Sequence, residues 1–104
     1  MKVQLNTDKN IEGTERLEAY VTQRVEEALR HFSDHITRVE VHLSDQNADK
    51  GGADDIQCKI EARLQGLKPV IVTSKSETTG KALEEATKKI KASLTTIMGK
   101  LKNK

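Results

Sequence analysis

The stretch IQCKIEARL, residues 56–64, alternates apolar and polar side chains without a break. Successive side chains of a β-strand point to opposite faces, so the apolar residues from Ile56 to Leu64 share one face. The polar residues at 57, 59, 61 and 63 share the other. This pattern predicts a strand with one buried and one solvent-facing side, which is typical of antiparallel sheets.

Three other segments are predicted to be strands. TRVEVHLS (37–44) places Val39, Val41 and Leu43 on one side. PVIVTSK (69–75) begins with a proline at its first position, where no ladder hydrogen-bond donor is needed. KVQLNT (2–7) alternates near the start of the chain. The sequence therefore predicts four strands.

Two segments between and after these strands carry apolar residues at helical spacing. The first helix is predicted from about Thr14, a suitable N-cap, to Phe32. The second is predicted over residues 79–101. Each helix has a single apolar stripe, so both should cover the same face of the sheet. The predicted fold is an α+β domain of order β-α-β-β-β-α. The stripe residues are Leu17, Val21, Val25, Ala28, Leu29 and Phe32, then Leu83, Ala86, Ile90, Leu94, Ile97 and Leu101.

The length of the chain predicts one domain over residues 1–104. Hydrophobic residues make up 35% of the chain and aromatic residues only 2%, so the core should be aliphatic. No apolar run approaches the roughly 18 residues needed to span a membrane. The start of the chain lacks the apolar region of a signal peptide, and the single Cys58 cannot form an internal disulfide. We expect a cytoplasmic protein with no membrane partner, monomeric when free.

The net charge of +2 is unevenly distributed along the chain. Residues 81–104 hold seven lysines against two glutamates, whereas residues 1–80 hold 11 basic and 14 acidic side chains. A basic end on an otherwise acidic domain suggests a polyanionic partner. The alternative is a solvated helix face, and charge alone does not separate the two.

The segment LSDQNADKGGADD (43–55) has oxygen-bearing residues at alternate positions, which suggests a calcium loop. Counted from Asp45, however, Lys50 stands where an EF-hand requires glycine, and Ile56 stands where it requires glutamate. Asp, Asn and paired glycines also favour turns. The segment is therefore predicted to be a long connection between two strands.

No other cluster predicts catalysis, a cofactor or a small-molecule substrate. His31, His35 and His42 are too dispersed for a closed metal shell, and Cys58 alternates inward as a core residue. Ser44 and Asp45 have no histidine at motif spacing, and no glycine-rich phosphate loop precedes a helix. The protein is predicted not to be an enzyme.

Basic side chains beside the helical stripes form the stronger signal. Arg16, Tyr20 and Arg24, with His31, project to one flank of the first stripe. On the second helix, Lys89 and Lys100 share one flank, and Lys91 and Lys102 share the other. Only one aromatic residue could stack on a base, which favours contacts to the backbone of folded RNA. The candidate RNA-binding residues are Arg16, Tyr20, Arg24, Arg30, Lys88, Lys89, Lys91, Lys100 and Lys102.

The chain resembles the short ribosome hibernation-promoting factors, also called ribosome-associated inhibitors or sigma-54 modulation proteins. The resemblance covers nearly the whole chain. One part of it lies in VTQRVEEALRHFSDHITRVEVHL (21–43). A more specific part lies in LSDQNADKGGADDIQCKIEARLQG (43–66), with an Asp-x-Asn start, a Lys-Gly-Gly centre and a Cys-x-Ile-Glu strand.

The resemblance implies a fold similar to a double-stranded-RNA-binding domain. It also implies binding in the decoding region of the small ribosomal subunit, overlapping the places of tRNA and messenger RNA and holding the ribosome inactive during stress. Basic helix residues would face ribosomal RNA. Arg24, Lys89, Lys100 and Lys102 fall where family members carry Lys or Arg, and Arg30 and Lys91 fall at variable positions.

The chain departs from the family at the second helix. TTGKAL (78–83) replaces an Asp-Met/Leu-Tyr-x-Ala-Ile start, so that Gly80 holds the tyrosine position. Ala92, Thr96 and Met98 occupy positions that are usually basic, which leaves a thinner stripe of charge. The short members lack a dimerisation domain, so self-driven pairing of ribosomes is not expected. Two alternative functions are modulation of a transcription factor and general binding of structured RNA.

Since the segment 43–55 is predicted not to be a calcium site, adding millimolar calcium should leave the thermal midpoint of unfolding unchanged. A ligand that binds only the native state would raise this midpoint by mass action. Differential scanning calorimetry with and without calcium tests this. A rise of several degrees that disappears in Asp45→Ala would restore the calcium interpretation.

Overall fold

The alternating segments form the strands, and the striped segments form the helices. The structure, a computed structural model, describes residues 1–46 and 55–102, the last two without their side chains. Within this part of the chain, neither helix combines the length and the apolar character needed to cross a membrane. The elements are β1 (Lys2–Thr7), α1 (Glu15–Ala28), a 3₁₀ turn (Arg30–Phe32), β2 (Ile36–Asp45), β3 (Ile56–Leu64), β4 (Val70–Ser76) and α2 (Thr79–Lys102).

The four strands form one mixed sheet in the order β1-β2-β3-β4. β1 runs parallel to β2, as a connection through α1 requires, and the other pairs are antiparallel. The predicted order β-α-β-β-β-α and α+β class are confirmed.

The core lies between one face of the sheet and the two helices. Val39, Val41, Cys58 and Ile60 are fully buried there, as the alternation predicts. Both helices contribute to the same cluster, as does Leu29 directly after α1. The helical members are Val21 and Val25 of α1 and Ala82, Leu83, Ala86, Ile90 and Leu94 of α2. The two helices therefore cover one face. None of the described elements covers the other face, which we call the open face of the sheet.

The first helix is shorter than predicted. α1 ends at Ala28, and Leu29 leaves helical geometry with φ −108° and ψ 16°. The chain then tightens into the 3₁₀ turn, where the Phe32 N–H donates to the Leu29 carbonyl at 2.9 Å. This turn packs the half-buried Phe32 against the core while the chain redirects into β2.

One carboxylate ties the end of β1 to the end of β2. Asp8 Oδ1 accepts from the backbone N–H groups of Asn10 and Ile11 at 3.0 and 3.1 Å. Its Oδ2 accepts from the N–H of Asp45 at 3.0 Å. Just beyond, the Gln46 N–H donates to the carbonyl of Asp55 at 2.8 Å and closes the neck of the β2–β3 connection. Hydrophobic periodicity did not predict this arrangement.

Replacing Asp8 with Ala should lower the free energy of unfolding by about 1–3 kcal/mol, because backbone donors lose a charged acceptor. Urea denaturation followed by circular dichroism measures the change. Asp34→Ala removes an exposed aspartate and should cost less than about 0.5 kcal/mol. Equal stabilities of the two variants would contradict this role for Asp8.

Candidate RNA-binding surface

Three candidate residues lie along the flank of α1 that faces α2. Arg16, Tyr20 and Arg24 follow one another at intervals of four residues, so they stand one above another on the helix. All three are exposed, whereas Val21 and Val25 are buried against the sheet. The apolar stripe therefore holds this row at the border between the core and the solvent.

The packing of the helices brings Arg24 close to Lys91 of α2. Both line a small concavity of about 190 Å³, together with Glu27, Ala28 and Thr87. In the described residues, neither Arg24 nor Lys91 forms an ion pair. Two cations and one carboxylate leave this concavity with a net positive charge, which suits a phosphate group.

Arg16 and Tyr20 line a second concavity, nearer the start of α2. It measures about 370 Å³ and is also lined by Thr14, Leu17, Thr79 and Gly80. We use the term interhelical groove for the surface formed by Arg16, Tyr20 and Arg24 of α1 with Gly80, Thr87 and Lys91 of α2. The sequence separated these residues by up to 75 positions, and only the packing of the helices places them together.

Lys89 lies on the other flank of α2, in agreement with the helical spacing. Its Nζ donates to the backbone carbonyl of Thr73 at 2.8 Å, on the edge strand β4. Lys100 is exposed near the end of the same helix. These two lysines are therefore separated from Lys91 and from the interhelical groove.

The structure does not bring the remaining candidates into the groove. Lys88 is exposed and pairs with Glu84 one turn away, at 3.7 Å. Arg30 and His31 lie in the 3₁₀ turn, and Arg30 lines a different concavity, which includes Glu26. The side chain of Lys102 lies outside the described part of the chain.

The flank of α1 that points away from α2 is acidic. Glu15, Glu18 and Glu26 line a concavity of about 570 Å³ there. This concavity is larger than either of those between the helices, but its carboxylates would repel a phosphate backbone. We therefore assign no RNA contact to it.

Two arginines on the open face of the sheet form ion pairs with carboxylates, which partly neutralise their charge. Arg63 lies 2.9 Å from Glu61 and 3.7 Å from Glu40, and Arg38 lies 3.5 Å from the same Glu40. Arg38 also donates to Gln4. These two arginines are thus less available to a polyanion than Arg24 and Lys91.

The described residues give no support for a catalytic or a metal site in this protein. In residues 1–46 and 55–102, no group of three or more His, Cys, Asp or Glu side chains could hold a metal ion. Cys58 is fully buried, and burial raises the pKa of its thiol to about 12, so at neutral pH it remains an unreactive thiol. Most of the segment tested as a calcium loop and predicted to be a connection, residues 47–54, lies outside the described residues.

Sequence reasoning missed Thr87 and Glu27 as neighbours of the two cations. Thr87 is buried and its hydroxyl donates to the Glu84 carbonyl at 2.8 Å, so it closes the floor of the groove. A polar residue within the apolar stripe of α2 was the available signal. No sequence pattern indicated that Glu27 lies beside the two cations, because its proximity to Lys91 depends on how the helices pack.

Comparisons with known proteins agree with this fold. A family model described as Sigma 54 modulation protein / S30EA ribosomal protein matches residues 6–102. The N-terminal domain of Protein Y from Thermus thermophilus superposes with a TM-score of 0.72 at 20% identity, covering 89% of this chain and 94% of that one. A ribosomal subunit interface protein from Coxiella burnetii gives 0.75 at 12% identity, covering 95% and 99%. No curated protein matches the chain in sequence.

The buried thiol predicts a pH dependence of stability. Burial raises the pKa of Cys58 from an ordinary value of 9.0 to about 12, so the folded state favours the protonated form. This stabilisation is complete below pH 9 and is lost as the pH rises towards 12. Between pH 8 and pH 10.5, the free energy of unfolding should fall by about 2 kcal/mol more in the wild type than in Cys58→Ala.

Chemical denaturation of both proteins at the two pH values measures this difference. Cys58→Ala is expected to be less stable throughout, so the quantity of interest is the change with pH and not the absolute stability. Parallel losses in the two proteins would show that the thiol titrates normally.

Proposed function

We propose that this chain, which belongs to the Sigma 54 modulation protein / S30EA ribosomal protein family, is a cytoplasmic ribosome-associated translation inhibitor. It binds the small ribosomal subunit as a single domain spanning residues 1–104. Its role is stoichiometric binding and not catalysis. Bound in the decoding region during stress, it would overlap the places of tRNA and messenger RNA and hold the ribosome inactive.

The observation that carries this proposal is the pair of cations in the interhelical groove. Arg24 and Lys91 come from different helices, line one concavity and have no acidic partner in an ion pair within the described residues. A phosphate of ribosomal RNA would supply that partner. Phosphate contacts position a protein on RNA and make binding depend on salt.

Lys89 and Lys100 form a second, separate contact in this proposal. They lie on the flank of α2 nearest β4, so they would meet a different stretch of RNA backbone from the groove. The Lys89 ammonium uses one of its three donors on the Thr73 carbonyl, which leaves two for a phosphate.

The acidic flank of α1 would help to orient the domain. Glu15, Glu18 and Glu26 face away from the groove, so a polyanion is attracted to one flank of α1 and repelled from the other. Like-charge contacts disfavour wrong orientations more than they strengthen the right one.

Reversing both groove charges, Arg24→Glu with Lys91→Glu, should abolish co-sedimentation with small subunits and relieve inhibition of translation in an extract. Both side chains are exposed, so the fold should be retained. In the wild type, binding should weaken steeply with salt. Neutral replacements of the two residues should reduce the log–log slope by about 1 for each phosphate that is no longer neutralised.

Lys68→Glu with Lys75→Glu is the matched control. It makes the same change in net charge at exposed positions in the β3–β4 turn and on the open face of the sheet. A second variant, Lys89→Glu with Lys100→Glu, tests the other flank of α2. Loss of binding in the control alone would place the RNA on the sheet face and reject the groove. Wild-type protein that stays free of ribosomes at low salt would favour modulation of a transcription factor.

A further inference from the structure

Tyr20 is an exposed aromatic residue beside positive charge. In the described part of the chain, three large hydrophobic side chains are exposed, namely Tyr20 at 42%, Leu67 at 41% and Ile71 at 52%. Leu67 lies in the β3–β4 turn, and Ile71 lies on the open sheet face opposite Glu61. Tyr20 lines a concavity together with an arginine, Arg16.

The absence of a side chain at Gly80 leaves this concavity open. A Cβ atom added to Gly80 would lie 3.7 Å from the Tyr20 hydroxyl oxygen, at ordinary van der Waals distance. A longer side chain at position 80 would therefore extend over the tyrosine and fill the space. The lining is mainly apolar, from Leu17, Tyr20 and the adjoining parts of the two threonines, and it contains no carboxylate.

We infer that this notch, lined by Arg16, Leu17, Tyr20 and Gly80, holds one unpaired nucleobase of ribosomal RNA stacked on the Tyr20 ring. The inference rests on the proposed function and specifies its ligand. A flat apolar surface bordered by cations suits a base, whose faces stack on aromatic rings while its backbone remains charged.

The charges around the notch favour nucleic acid over an apolar protein segment as its occupant. Arg16 lines the notch itself, and Arg24 follows Tyr20 by one helical turn, about 5–6 Å along the axis. Lys91 joins Arg24 across the groove. A base in the notch would thus have cations on both sides for its flanking phosphates. An apolar side chain of a protein partner would gain nothing from these three cations.

Variants at two positions separate base stacking from apolar packing. Tyr20→Phe keeps the ring, Tyr20→Leu keeps an apolar side chain without a ring, and Gly80→Leu fills the notch. Affinity for small ribosomal subunits should fall about 5- to 150-fold in Tyr20→Leu, the range expected for loss of one stacked base, and should fall comparably in Gly80→Leu. Tyr20→Phe and the control Ile71→Ala should bind like the wild type.

Base-specific chemical probing provides the second measurement. At saturating protein, dimethyl sulfate should spare at least one unpaired adenine or cytosine of the subunit RNA with the wild type and with Tyr20→Phe. The same base should become reactive with Tyr20→Leu, although the subunit remains occupied. Circular dichroism should show that all four variants are folded.

Three outcomes are distinguishable. Weaker binding in Tyr20→Leu and Gly80→Leu, with loss of a base protection, supports the notch as a base site. Wild-type affinity and an unchanged footprint in these variants overturn it, while the proposed function stands if Arg24→Glu with Lys91→Glu still abolishes binding. Equal binding by Tyr20→Leu and Tyr20→Phe together with a loss in Gly80→Leu points to an apolar protein contact and also overturns it.

Discussion

Burial of one apolar stripe from each helix against the same sheet face determines the remaining surface of this protein. Val25 of α1 and Ile90 of α2 enter one continuous core, so the helices must lie side by side. Once they do so, the residues bordering each stripe face one another. Arg24 and Lys91 are close for this reason, and not because either has a partner in the sheet.

The same constraint separates the charges of the molecule into surfaces of different character. On the open sheet face, Arg38 and Arg63 share the carboxylate of Glu40. Between the helices, cations lack such partners in the described residues. The domain carries a small net charge, but cations outnumber carboxylates between the helices, whereas carboxylates line the opposite flank of α1. A nearly neutral protein can therefore still present a directional surface to RNA.

The strands and helices were predictable because their signals are local. The alternation from Ile56 to Leu64 and the stripe around Ile90 each report which side of an element is buried. The end of α1 at Ala28 was not predictable from the stripe, because Phe32 reaches the core through a 3₁₀ turn that keeps similar spacing. The sequence predicted which types of residue form the candidate RNA-binding surface, but it did not predict which of them lie close together. Whether Lys91 or Lys89 lies beside α1 depends on how the helices pack, and the spacing of apolar residues within one helix does not determine this.

The hydrogen bonds of Asp8 have a consequence for where a label can be inserted into the protein. Asp8 fixes the backbone at Asp45, and the Gln46–Asp55 hydrogen bond closes the β2–β3 connection at its base. The ends of this connection are therefore held by the sheet, independently of the length of chain between them. Lengthening a loop whose ends are already fixed costs little, about 0.6 kcal/mol for each doubling. A fluorophore-binding tag inserted between residues 47 and 54 would thus join the domain at two anchored points. Both anchored points lie at the end of the sheet where α1 and α2 begin, so the tag would join the domain near the Arg16 and Gly80 end of the groove.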